Sequence, residues 1–287
     1  MPEGAGAEWP DAALSSPGRR MSVRDAMAQG LPGWPQPGEE PPGPTRPVPS
    51  GRGGDQRIPR PYNARAGGPP PWAHLAPDQR RPSVADVRAA LAGQGPPRPS
   101  ERELIDGPVR GPERPSAVLV PLYDGEDGVA RVVLTRRTWG LRTHQGEVSF
   151  PGGRVEPGEA PMDAARREAE EEIGLDPAAI EVFGELDHLA TISSGSFIAP
   201  FVGMLPSRPE TYPNPHEVQA VLHVALSELL DPEIFREEIW TFPGGRVQPI
   251  TFFELVGDTV WGATASLLRL LLGIATGTLG RGDLNHP

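Results

Sequence analysis

The 287-residue chain has no cysteine and no lysine; all 27 of its basic residues are arginine. The first absence excludes disulfides, a thiol nucleophile and a zinc–thiolate site. The second reads as compositional bias of the source rather than as chemistry. Aromatic residues make up only 6% of the chain and apolar residues 37%, against 38 prolines and 35 glycines. With so little apolar material, part of the chain is not expected to fold. Long hydrophobic runs are missing too. The longest, over 263–274, is too short to span a bilayer and is interrupted by Arg269, so it reads as a core helix and no membrane partner is expected. The N-terminus lacks the basic-then-apolar pattern of a secretory signal, which gives the expectation of a cytoplasmic protein. Positive charge is also scarce: a formal net charge of -11 argues against a nucleic-acid partner, which would need a basic face. An acidic protein can still bind a polyphosphate where a divalent cation and local arginines offset the repulsion.

Residues 1–82 are dominated by Pro, Gly, Arg and small polar residues without sustained apolar periodicity. They read as a long disordered arm, in which Pro69, Pro70 and Pro71 would favour polyproline geometry and could dock a partner. Residues 83–113 read as a short helix and linker, with Ser83 as N-cap, Asp86 at the capping-box position and Val84, Val87 and Leu91 on one face. Residues 114–278 form the main domain and 279–287 a tail. Apolar runs over 116–122 and 130–135, separated by an Asp/Gly-rich stretch, form a hairpin pattern. Further strand candidates lie at 180–185, 197–204, 220–225 and 250–255, alternating with helical patterns at 161–173 and 264–274. The mixture argues for an α/β (α+β) fold with a mixed β-sheet sandwiched between helices.

One segment carries chemistry. Over 153–175 the sequence reads GRVEPGEAPMDAARREAEEEIGL. Pro157 and Gly158 make a turn, Pro161 sits at a first helical position, and Gly174 supplies the stop. On the helix between them, Met162, Ala165, Ala169 and Ile173 form the buried stripe, while Glu168, Glu171 and Glu172 project from another face. Three crowded carboxylates repel unless a cation or an arginine offsets them. A hard divalent ion does so naturally: Mg²⁺ takes one or two carboxylates and leaves positions for phosphate oxygens. A solvated acidic helix face is the bland alternative, and the upstream glycine turn and Arg167 at fixed spacing tell against it.

The segment resembles the signature of the Nudix hydrolases, G-x5-E-x7-R-E-U-x-E-E-x-G-U, where U is a bulky aliphatic. Gly153, Glu159, Arg167, Glu168, Glu171, Glu172, Gly174 and Leu175 fall in register, and the small Ala169 at one U position is a departure. The resemblance implies the Nudix fold and an Mg²⁺- or Mn²⁺-dependent hydrolase. By it, Glu168 and Glu172 are the main metal ligands, Glu171 is an additional ligand or a water-orienting group, and the backbone carbonyl of Gly153 or its neighbour is a further ligand. Arg167 would brace the carboxylates with Glu159 as its partner. The general base would be Glu171 on the helix or Glu217 on a loop.

Upstream, residues 134–153 resemble the extended motif L-T-x-R-[SA]-x3-R-x3-G-x3-F-P-G-G of the coenzyme A pyrophosphatase subfamily. Leu134, Thr135, Arg137, Arg142, Gly146, Phe150, Pro151, Gly152 and Gly153 agree; Thr138 and Glu147 differ. Arg137, Arg142 and Gly152 are the substrate-binding candidates, since arginine offers planar bidentate donors to phosphate; surface pairing with Glu is their bland alternative. Loops at 191–195, 214–218 and 261–264 share the likeness, which runs over 114–273. It implies hydrolysis of coenzyme A or its derivatives to 4'-phosphopantetheine and 3',5'-ADP, and it admits a homodimer. Rival readings are a Nudix hydrolase for ADP-ribose, NADH or a nucleoside triphosphate, and a non-catalytic module that senses a nucleotide. Residues 242–247 repeat 150–155 letter for letter, but a strand pattern follows, so they read as a hairpin turn.

Overall fold

The computed structural model of the chain describes residues 33–36, 38–99, 115–141, 144–191, 197–242 and 245–284. The hairpin pattern forms as expected. Strands β2 (Pro115–Asp124) and β3 (Ala130–Arg137) pair antiparallel with Leu122 opposite Val132. Their connection closes through Gly125 N–H to the Val129 carbonyl at 2.9 Å, with Gly128 at φ +70°, a value that glycine adopts without penalty.

β2 lies at the centre of an eight-stranded mixed sheet. It runs parallel to β8 (Phe197–Met204), from Pro115 opposite Phe197 to Leu122 opposite Met204. Strand β6 (Glu181–Glu185) lies beyond β8, and β9 (Val218–Ala225) borders β3. Three short strands complete it: β4 (Val148–Ser149) on β3, β5 (Gly152–Arg154) on β2 and β7 (Leu189–Ala190) on β8. Side-chain alternation sorts β2 onto two cores. Ala117, Leu119 and Tyr123 face helix α2 (Pro161–Ile173), together with Ala165 and Ala169. Val120 and Leu122 face the opposite layer, with Val87 of α1 (Val84–Ala92) and Leu268 of the last helix. The sheet is therefore sandwiched between helices, and β2, covered on both faces, needs its nearly unbroken apolar run.

The opposite layer also contains a second, four-stranded antiparallel sheet, ordered β1 (Arg65–Ala66), β10 (Phe235–Thr241), β11 (Val247–Leu255), β12 (Asp258–Trp261). The repeated 242–247 stretch joins β10 to β11, whose register runs from Phe235–Phe253 to Thr241–Val247, so it is a hairpin; Pro243 and Gly244 lie outside the described residues. After the short α3 (Leu226–Leu229) and this sheet, α4 (Gly262–Ala275) closes the core. Ser83 caps α1 as expected: its hydroxyl accepts from Asp86 N–H at 3.2 Å while the Asp86 carboxylate accepts from Ser83 N–H at 2.8 Å. Among the described residues no helix is long and apolar enough to cross a membrane.

The expectation of a disordered arm reaching residue 82 is corrected over 33–36 and 38–82. Trp34 is 1% and Trp72 0% exposed. Trp34 meets Trp240 edge-on at 6.1 Å and Trp72 stacks on Phe253 at 6.3 Å. β1 pairs with β10, and Arg60 Nε donates to Glu238 Oε2 at 2.7 Å in a buried ion pair. Two indoles supply apolar area that composition averages hide. The many prolines have little backbone freedom to lose on ordering. Residues 1–32 lie outside the described residues. In the tail, Arg281 is anchored to Asp187 at 2.9 Å.

Candidate active site

α2 starts and stops where its punctuation directs. Gly158 takes φ +85°, Ala160 is the extended N-cap, Pro161 occupies the first turn, and Gly174 adopts the left-handed conformation at φ +71° with its N–H returned to Ala169 and Glu170. Its buried residues are Ala164, Ala165, Ala169, Glu172 and Ile173. Ala164 takes the place expected for Met162, which is only half-buried. Small alanines let the helix approach β2 closely, and that approach brings its acidic face over the glycine turn of β5.

Arg167 is the hub of that face. Its Nε and Nη2 engage the Glu159 carboxylate at 2.8 and 3.2 Å, Nη1 reaches Glu168 at 3.0 Å and Glu171 at 3.2 Å, and Nη2 also donates to the Arg154 carbonyl at 3.1 Å. The guanidinium holds the Glu159 carboxyl below its ordinary value, and this same pairing raises Arg167. Glu168 lies against the glycine turn: a Cβ on Gly153 would come within 2.5 Å of its carboxylate oxygens. Any side chain at 153 would therefore push the Glu168 carboxylate from its place. Burial raises the Glu168 pKa, the nearby charges of Glu171 and Glu217 raise it further, and Arg167 opposes them.

Glu172 is 3% exposed, and its Oε2 has no hydrogen-bond partner. Burial pushes its pKa up to about 8; Glu168 and Glu217 add to the rise, while Arg137 and the Gly152 amide oppose it. Arg137 comes within 3.8 Å of Glu172 from β3. Glu217 reaches the group through the 214–218 turn, where Asn214 N–H donates to the Glu172 carbonyl at 2.8 Å and Glu217 N–H to Asn214 at 3.0 Å. The structure thus brings together Gly152, Gly153, Arg137, Arg167, Glu168, Glu172 and Glu217. Glu171 stands at the exposed rim, its side chain 57% accessible. Arg142 and residues 192–196 lie outside the described residues. Glu147 turns its carboxylate to His144 at 2.6 Å, and its carbonyl accepts the Arg137 N–H at 2.9 Å.

Among the described residues no three acidic or histidine side chains converge as a ready-made metal shell. The donor set nevertheless fits a hard divalent ion of the Mg²⁺ type, which takes one or two carboxylates and completes its shell with water and phosphate oxygens. The orphaned Glu172 oxygen and the adjacent Glu168 carboxylate are such donors. Sequence reasoning missed Asp258, which binds Arg136 Nη1 at 3.1 Å; no local pattern links positions so far apart.

The NUDIX domain family matches residues 113–238. Nudix hydrolase 22, chloroplastic, of Arabidopsis thaliana is 40% identical over 183 residues, covering 59% of this chain and 57% of that protein. Nudix hydrolase 15, mitochondrial, of the same plant is 38% identical over 176 residues, covering 58% and 60%. A protein of Photorhabdus laumondii subsp. laumondii named Uncharacterized Nudix hydrolase NudL is 34% identical over 190 residues, covering 66% of this chain and 96% of its own length. The chain spans less than two thirds of the two plant proteins and nearly all of the bacterial one.

Proposed function

The chain belongs to the Nudix hydrolase family, and on that premise we propose that it is a divalent-metal-dependent pyrophosphohydrolase of nucleoside diphosphate derivatives, acting on coenzyme A or its derivatives. The observation that carries this reading is the unpartnered, buried Oε2 of Glu172 beside the Glu168 carboxylate and the Gly153 turn. Buried acceptors of this kind are costly unless something binds them.

Glu168 and Glu172 would hold an Mg²⁺ or Mn²⁺ ion, with the Gly153 region offering a backbone carbonyl. Such an ion, when bound, neutralises the diphosphate and lowers the pKa of a water molecule. The protein's own residues do the rest. Arg137 meets phosphate oxygens from the opposite side, Arg167 keeps the acidic side chains in place, and Glu171 or Glu217 takes the proton of the attacking water. Hydrolysis breaks one phosphorus–oxygen bond of the anhydride; water's hydroxyl goes to the attacked phosphorus, and the proton taken by the carboxylate is passed on to the leaving phosphate or to solvent.

Coenzyme A is favoured by the run over 134–153, in which Arg137 reaches the acidic group and Glu147, the departure that would add charge near the phosphates, is turned toward His144. The test is incubation of the purified protein with Mg²⁺ or Mn²⁺ and, separately, coenzyme A, ADP-ribose and NADH, with products identified by mass and Glu172→Gln as control. Appearance of 4'-phosphopantetheine and 3',5'-ADP, lost in the control, is expected. Turnover of ADP-ribose or NADH alone would replace the substrate but keep the chemistry. Turnover of none would overturn the enzyme in favour of a nucleotide-sensing module.

A further inference from the structure

Away from the acidic helix, one side chain of the N-terminal segment joins three elements. Gln56 is 9% exposed. Its Nε2 donates to the Gly146 carbonyl at 3.1 Å and to Asp258 Oδ1 at 2.8 Å, and its Oε1 accepts the Thr259 N–H at 3.0 Å. Both amide hydrogens and the oxygen are committed, so the orientation of the group is determined by its partners. The backbone before it is held as firmly. Gly53 N–H donates to the Leu255 carbonyl at 2.7 Å and Gly54 N–H to Thr259 Oγ1 at 3.2 Å. A Cβ on Gly54 would lie 2.8 Å from the Asp258 Cα, so only glycine lets the segment run this close to the β11–β12 turn.

Two lines of contact lead from Gln56 to Arg137. On one, Gly146 precedes Glu147, whose carbonyl accepts the Arg137 N–H at 2.9 Å. On the other, Asp258 receives Arg136 Nη1 at 3.2 and 3.1 Å on its two oxygens. The pairing of β3 with β9 shifts register between Arg136 and Arg137. The regular ladder is therefore interrupted just before Arg137, the last residue of β3, and a brace from outside has a function there.

The geometry points to Gln56 as a positioning residue that sets Arg137 against the phosphate of the substrate, so that the proline-rich segment completes the binding side of the site. This rests on the hydrolase reading above. Gln56 touches no reacting atom; it acts through Gly146 and Asp258.

Gln56→Glu keeps the shape but turns the donating nitrogen into an acceptor facing the Gly146 carbonyl and the Asp258 carboxylate. Gln56→Leu removes all three bonds without adding charge and serves if the first variant does not fold. KM for the compound turned over in the panel should rise about 10-fold with kcat within about twofold, the signature of lost ground-state binding. Hydrogen exchange over residues 137–150 should accelerate about 10-fold while helix α2 keeps its protection. Arg52→Ala, which removes a partly exposed ion pair with Glu228 at 2.6 Å on the same segment, should change neither. Exchange accelerated equally in α2, an unchanged KM, or the same response from Arg52→Ala would overturn the positioning role. Local exchange without turnover of any compound would leave the Gln56 contact standing and remove the hydrolase reading instead.

Discussion

Arg167 and Glu159 meet as two planar groups, Nε to Oε1 at 2.8 Å and Nη2 to Oε2 at 3.2 Å, and this pairing leaves Nη1 free to reach Glu168 and Glu171 on the helix. A lysine carries the same charge but cannot offer two parallel donors and a third at once. Arg167→Lys should lower kcat/KM about 100-fold, the loss of two charge-assisted hydrogen bonds, with the helical circular dichroism unchanged. A variant with near-normal kinetics would remove Arg167 from its bracing role.

Gly153 lies directly against the Glu168 carboxylate. In Gly153→Ala the new methyl would have to displace the Glu168 carboxylate, whose oxygens lie 2.5 Å from the added atom. Misplacing a ligand by about 1 Å costs on the order of 100-fold in rate. Steady-state kinetics beside a thermal melt should show that loss with little change in Tm. Full activity would mean the carboxylate need not stay where it is.

The proton acceptor is decided by comparing two variants. Glu171 is exposed and shares Arg167, whereas Glu217 lies close enough for its charge to raise both Glu168 and Glu172. Glu171→Gln and Glu217→Gln should differ in kcat by at least about 100-fold, the range of a general base's contribution. The slower one identifies the base. Equal, small effects would assign it to neither.

Far from this face, Arg236 is 5% exposed between Glu238 and Glu254, donating to Glu254 Oε1 through Nη2 at 2.6 Å and to Glu238. Arg236→Met would strand charge in the core beneath the N-terminal segment. Chemical denaturation should show a loss of about 3–5 kcal/mol. A loss below about 1 kcal/mol, the value of an exposed pair, would mean the network is not closed to water.

His223 accepts or donates a hydrogen bond with Tyr123 Oη at 3.0 Å, and burial, with Arg208 adding its charge, lowers the imidazole pKa from 6.5. A lowered pKa in the folded state means that the unfolded chain binds the proton more readily. The contribution of His223 is therefore present above about pH 6.5 and is lost as pH falls through the folded value. Titration of the ring by NMR should give a midpoint below 6.5; a midpoint at or above it would refute the burial argument.

Local sequence was enough where structure depends on neighbours. The Ser83 cap, the bounds of α2 and the β2–β3 hairpin all follow from side chains within a few positions of one another. The same holds for the acidic face, because helical spacing alone places Glu168 and Glu172 one turn apart. The order over 33–36 and 38–82 was not legible because composition averages over a chain, while Trp34 and Trp72 each find a deep aromatic niche supplied by β10, β11 and the residues beside them. β1 and β12 are only two and four residues long, too short to show a period.

By itself the order of residues determined that one helix carries Glu168, Glu171, Glu172 and Arg167 at spacings suited to a cation and a diphosphate. Tertiary structure alone decided which of those acids is buried and unpartnered, and which side chain braces the arginine opposite. Burial and long-range pairing depend on what the rest of the chain packs nearby. Glu172 owes its raised pKa to the surrounding low-polarity core, and Gln56 reaches Asp258 only because two glycines let a distant segment lie against the turn.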